Sequence, residues 1–162
     1  MISRFHPALL ATLALALGAC AAAPLDLGGI DRVFTADRAA ADPVGAVGQR
    51  VAWGGLIVST STLEKETQLE VLAYPLDGSG RPLPEGPPSV RFLAVKGGFL
   101  ETAVYAPGRF VTVAGPVAAP RPGRIGERAV TDPVVTVEQL HLWPRAGEGG
   151  GSSVHFGIGV SF

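Results

Sequence analysis

Cysteine is all but missing from this chain, with Cys20 the single example among 162 residues. That excludes an internal disulfide, a Cys-x-x-Cys redox pair and a thiolate metal cage. Methionine occurs once, tryptophan and tyrosine twice each, and histidine three times. Once an N-terminal signal is removed only His141 and His155 remain, too few for a histidine metal centre. Neither lies near a Gly-x-Ser-x-Gly elbow, so no nucleophile has an evident base beside it. Charge is sparse and balanced, with 13 Lys and Arg against 14 Asp and Glu. Such a balance lacks the basic footprint of a nucleic-acid binder or a polybasic membrane patch. What is plentiful is glycine, at 22 residues, and proline, at 14. Both break helices and mark turns, so many short strands are expected in place of long helices.

The chain opens with one fixed positive charge, Arg4, followed by the apolar run Ala8–Leu17. This run is too short to span a bilayer, which takes about 20 residues. A basic start, a short apolar middle and small residues at its end make a secretory signal, expected as a cleaved helix over residues 1–19. The closing stretch Leu17-Gly18-Ala19-Cys20 resembles the lipobox of bacterial lipoproteins. That resemblance implies cleavage before Cys20, a diacylglycerol on its thiol and an acyl group on its amine. One acyl chain holds a protein marginally, whereas two or three hold it durably. Ala21 follows the cysteine where an Asp would retain a lipoprotein in the inner membrane. The implied location is therefore the outer membrane, lipid-anchored on its periplasmic side. Beyond this covalent lipid no cofactor or metal is expected.

Residues 20–43 read as a lipidated tether carrying one helical turn near Asp37–Ala41. The folded β domain is placed at 44–144. Val51–Val58 has strand composition, and the pair Gly54-Gly55 suggests a bulge or a sharp bend. A charged tip at Glu64–Glu66 leads to Thr67–Pro75, where Leu69, Val71 and Ala73 alternate with Gln68, Glu70 and Tyr74. Three more strands are expected at Val90–Val95, Phe110–Val117 and Val134–Trp143, with Arg81–Ser89 and Pro116–Gly126 as turn-rich connections. Leu140 and Leu142 fall out of phase with Val135 and Val137, which calls for a bend near Glu138 or burial on both faces. The expected fold is all-β: a small five- to six-stranded barrel of the OB type, or a sandwich. Residues 145–162 form a Gly-rich linker and an alternating segment, Val154–Phe162. Its period fits a strand of a membrane barrel, but a lone strand leaves backbone groups unpaired in lipid, so an added edge strand, or a segment lying on a neighbour, is preferred.

Several segments together resemble one family. They are Val47–Gly55, Leu69–Val71 with Tyr74–Asp77, Arg91–Ala94 with Gly98–Leu100, Gly108–Gly115 and His141–Trp143. In that order they are similar to the Slp family, the starvation-inducible outer-membrane lipoproteins. The resemblance covers about residues 43–144. It implies a non-catalytic outer-membrane lipoprotein with a role in envelope structure or starvation stress, acting through an envelope protein partner and not through nucleic acid. The alternative is a carrier of a small molecule or glycan on the barrel face. Trp53, Trp143, Phe156 and Phe162 are the candidate partner contacts, with Trp53 and Trp143 read first as core anchors. His141, Glu64 and Glu66 are read as ordinary strand and hairpin-tip residues.

The lipobox yields a direct test. Cells fed labelled palmitate should label the protein, and Cys20→Ser should abolish the label and release the protein from the membrane fraction. Label persisting on the serine variant would refute the assignment.

Overall fold

The computed structural model describes residues 25–145. One short helix, α1 (Ala36–Ala41), precedes six strands: β1 (Arg50–Thr62), β2 (Glu66–Tyr74), β3 (Arg91–Gly97), β4 (Phe110–Ile125), β5 (Arg128–Thr136) and β6 (Gln139–Leu142). The order β1-β2-β3-β5-β4 closes on itself because β1 also pairs with β4. All pairings are antiparallel except β3–β5, which run parallel over Leu93–Val95 and Val134–Thr136. A five-stranded ring in this order is the OB arrangement, so the fold is a barrel and not a sandwich. β6 adds a short sixth strand alongside Val111–Ala114 of β4.

Alternation is cleanest in β2, where Thr67, Leu69, Val71 and Ala73 are buried and the residues between them are half-exposed. Trp53, Ile57, Leu69, Val71, Phe92, Val111, Val113 and Val135 fill the interior. Trp53 stands edge-on to Phe92, with ring centroids 5.4 Å apart. The bulge in β1 lies between Ile57 and Ser59, beyond the expected glycine pair. Gly54 and Gly55 have a different job. Both pair with β2 and with β4, and a Cβ on Gly55 would fall on the Leu72 carbonyl. Only glycine allows that approach.

The proline-rich stretch Pro116–Gly126 is not a loop. β4 runs through it and returns as β5 around a two-residue turn, Gly126-Glu127, giving a long β-hairpin arm. Pro120 falls inside the register shift between Ala118 and Arg121, where no ladder donor is required. The expected strand Val134–Trp143 is divided: β5 stops at Thr136 and β6 starts at Gln139. There β4 crosses so closely that a Cβ on Gly115 would meet the Thr136 carbonyl. The break accounts for the change of phase between Val137 and Leu140.

The N-terminal stretch departs furthest from expectation. Its helical turn is α1, but from Leu25 onward the segment packs on the barrel and does not hang free. Leu25 is 4% exposed, and Ala36 and Ala39 join the core. Asp26 donates its backbone N–H to Gln139 Oε1, and its carbonyl accepts from Gln139 Nε2. Asp31 N–H donates to the Arg50 carbonyl of β1. Trp53 Nε1–H donates to the Phe34 carbonyl at 2.7 Å.

Phe92, fully buried, makes the core testable. Phe92→Ala should lower unfolding free energy by about 3–5 kcal/mol in urea denaturation, by lost transfer energy plus a cavity. A loss below about 1 kcal/mol would show that the barrel interior is not packed as described.

Candidate functional site

Two concave surfaces stand out. The first lies under the β4–β5 arm, on the outer face of β1, β2 and β3. Arg121 of the arm forms an ion pair with Glu66 at 2.8 Å, and Gln68 Nε2–H donates to the same carboxylate. Beneath it, Glu70 accepts from Arg91 at 2.6 Å and from Ser59 Oγ–H at 2.9 Å. Asp132 of β5 completes the lining of a small polar groove of about 190 Å³. Partly exposed pairs of this kind contribute at most about 1 kcal/mol each; Arg121–Glu66 ties the arm to the face, and Glu70 ties β2 to its neighbours β1 and β3.

Burial pushes the Asp132 carboxyl above its ordinary range; the nearby negative charge of Glu70 adds to this, and Arg91 opposes it. Hydrogen bonds from Arg121 and Gln68 hold Glu66 below the usual range. Both oxygens of Glu70 are engaged, by Arg91 and Ser59. A groove that tracks single-stranded nucleic acid needs surplus positive charge and aromatic faces. Here three carboxylates face two guanidinium groups, and no aromatic side chain lines the space.

The second surface is a cleft of about 410 Å³ between the N-terminal segment Arg32–Asp37, the end of β2 and the proline loop before β3. Ala52, Gly54 and Ala73 form its floor, with Phe34, Tyr74 and Leu76 half-buried at its sides. Arg32 borders it, but its guanidinium donates to the carbonyls of Asp77 at 2.6 Å and Gly78 at 3.2 Å. This cleft was not legible in the sequence, because its walls lie far apart along the chain.

The tryptophans are anchors. Trp53 is 4% and Trp143 9% exposed, so neither offers the open aromatic face that a partner contact requires. Trp143 Nε1–H donates to Thr112 Oγ1 at 2.9 Å, and that hydroxyl donates to the Gly80 carbonyl. His141 stands edge-on to Trp143 at 4.3 Å, and burial lowers its pKa. Leu17, Gly18, Ala19, Cys20, Phe156 and Phe162 lie outside the described residues. Among the described residues, no group of three or more His, Cys, Asp or Glu is placed to hold a metal ion. Likewise no helix there is long and apolar enough to cross a membrane.

By fold, then, the chain carries an OB-type barrel whose β2–β3 face lies partly under its own arm. It belongs to the Slp family of outer membrane lipoproteins, whose model matches residues 17–154. It is 31% identical over 134 residues to the uncharacterized lipoprotein YeaY of Escherichia coli K12, covering 82% of this chain and 69% of that protein. It is 29% identical over 141 residues to the outer membrane protein Slp of the same strain, covering 84% and 73%. Among solved structures, the mitochondrial single-stranded DNA-binding protein Rim1 of S. cerevisiae aligns with a TM-score of 0.34 at 11% identity. That alignment covers 59% of this chain and 94% of Rim1. At that score no DNA binding carries across.

The groove makes a pH prediction. Because the folded-state pKa of Asp132 is raised, the native protein holds that proton more readily than the unfolded chain. Stability from this group therefore falls as pH rises through the window above the ordinary carboxylate pKa. Asp132→Asn should raise the melting temperature near neutral pH and leave it unchanged well below the carboxylate range. An equal shift at both pH values would place the effect in packing and not in the charge.

Proposed function

We propose that this protein is a lipid-anchored, non-catalytic outer-membrane module. Its barrel lies directly on the leaflet and serves the envelope under starvation or stress through a protein partner. One observation carries the reading: the segment from Leu25 to Asp42 is docked, with Leu25 buried and Asp26 clasped by Gln139. If Cys20 bears the lipid, about five residue steps separate the anchor from the packed barrel. Even fully extended they span at most about 18 Å. A tether of residues 20–43 would have let the domain stand away from the bilayer; the docked segment removes most of that reach.

The partner reading is supported at one end of the barrel. There Leu63 is 49% and Phe99 67% exposed. The β1–β2 tip and the turn after β3 are joined by the Gly98 N–H bond to the Lys65 carbonyl. A carrier binding on the barrel face itself is disfavoured, since the arm, tied down by Arg121–Glu66, lies over part of that face and the Glu70–Arg91 pair occupies the rest of the groove. The second cleft keeps a small-molecule reading in play.

With Cys20 acylated, Ser79→Cys supplies one free thiol beside Leu25. A dye there should transfer energy efficiently to acceptor lipids in vesicles. A Gly/Ser linker of about 20 residues inserted after Pro24 adds about 25 Å of r.m.s. reach and should sharply reduce that transfer. Equal transfer with and without the linker would refute direct apposition.

A further inference from the structure

We propose that the cleft beside the N-terminal segment binds a single fatty acyl chain. The proposal deepens the lipid-apposed reading above, which explains where the chain comes from, while the binding chemistry stands on the cleft alone.

The cleft exists because Pro75 ends a ladder. β2 pairs with β1 as far as Tyr74 opposite Gly54 and no further, while β1 continues back to Arg50. Proline has no N–H to extend the pairing. Beyond it the chain swings outward into a loop held by the Leu83 N–H bond to the Pro75 carbonyl. Arg32–Asp37 approaches from the other side, and the gap between them remains open. Its volume of about 410 Å³ lies within the roughly 300–1,000 Å³ of small-molecule sites.

The chemistry of the lining selects the ligand. The floor is alanine and glycine, and the walls are aromatic, leucine and proline. The polar groups closest to the interior are already engaged: Trp53 Nε1–H bonds the Phe34 carbonyl, and Arg32 bonds two loop carbonyls. Thr35, Asp37 and Ser89 are exposed at the rim. A sugar or a peptide would bring many donors and acceptors into a space that leaves them unpaired, which is costly. An alkyl chain brings none, and each methylene removed from water is favourable.

Position agrees with chemistry. Arg32 borders both this cleft and the shallow depression that holds Leu25 and Leu27. Leu25 follows Cys20 closely in the chain, so the Arg32 side of the cleft lies near the point where the anchored chain joins the barrel. The occupant is an acyl chain either on Cys20 itself or from an exchangeable lipid, and the two sources are separable.

The first arm uses the full mature chain as Cys20→Ser, in solution, titrated with dibromostearate, which quenches tryptophan fluorescence at short range without needing an exposed ring. Trp53 lines the cleft. Saturable quenching displaced by palmitate is expected, weakened about tenfold or more by Ala52→Leu, which fills the floor. Ser89→Phe, an exposed rim position that leaves the core untouched, should do the same. Ser61→Phe, in the polar groove, should not. Absence of saturable quenching, or quenching unchanged in both cleft variants, overturns the proposal. Because this arm needs no lipidation, it fails independently of the anchor.

The second arm feeds cells a diazirine-bearing palmitate and maps the photo-adducts. Adducts on Phe34–Asp37 or Pro87–Ser89 in which the probe chain is also joined to the Cys20 peptide identify the protein's own acyl chain. Adducts there carrying a separate lipid identify an exchangeable lipid, and adducts confined to other surfaces overturn the proposal.

Discussion

The barrel depends on three residues of β1, Gly54, Gly55 and Leu56, which pair with β2 on one side and β4 on the other. On either side of them the strand has one partner: Arg50–Trp53 lie against β4, and the residues after the bulge lie against β2. This short overlap is where the ring closes. It removes the open edges that would otherwise invite pairing with other chains. It also demands a backbone approach at Gly55 that no side chain permits, because the Leu72 carbonyl occupies the place of its Cβ. Trp53, Ile57 and Phe92 then fill the interior that closure creates.

Closure leaves the first residues of β1 without β2 beside them, and the N-terminal segment takes up part of that space. It meets β1 at Asp31, adds Ala36 and Ala39 to the core, and satisfies the Trp53 indole through the Phe34 carbonyl. A segment with little secondary structure of its own is thereby ordered by the barrel. The same contacts dock the chain from Leu25 onward. Under the proposed anchor at Cys20, a packing requirement of the barrel governs how far the module can stand from the membrane.

The two concavities differ in what they have left to offer. Under the arm, carboxylates and guanidinium groups neutralise one another, and the groove is small and polar. Beside Pro75, the inner polar groups are engaged with backbone carbonyls, and the lining is mostly apolar with Thr35, Asp37 and Ser89 at the rim. An OB-type barrel commonly binds on the face that this arm covers. Here a second concavity lies at the end of β2, where a proline interrupts the ladder.

Local pattern determined much of this protein by itself. The scarcity of thiols and imidazoles is plain from composition, and the period-two alternation of Leu69, Val71 and Ala73 is a property of neighbouring residues, so both read directly. The change of phase near Glu138 was visible for the same reason, as was the helical turn at Asp37–Ala41. Other features belonged to the tertiary structure. Pro116–Gly126 became a strand because β5 runs beside it and Pro120 sits where no ladder donor is needed. The glycine pair in β1 proved to be a point of close approach, which only the position of Leu72 reveals. The N-terminal segment docked through partners as distant as Gln139, 113 residues along the chain from Asp26. Such contacts exist only once the barrel has formed. Composition and spacing report local preference, and they carry no trace of a partner that the chain meets only by folding back on itself.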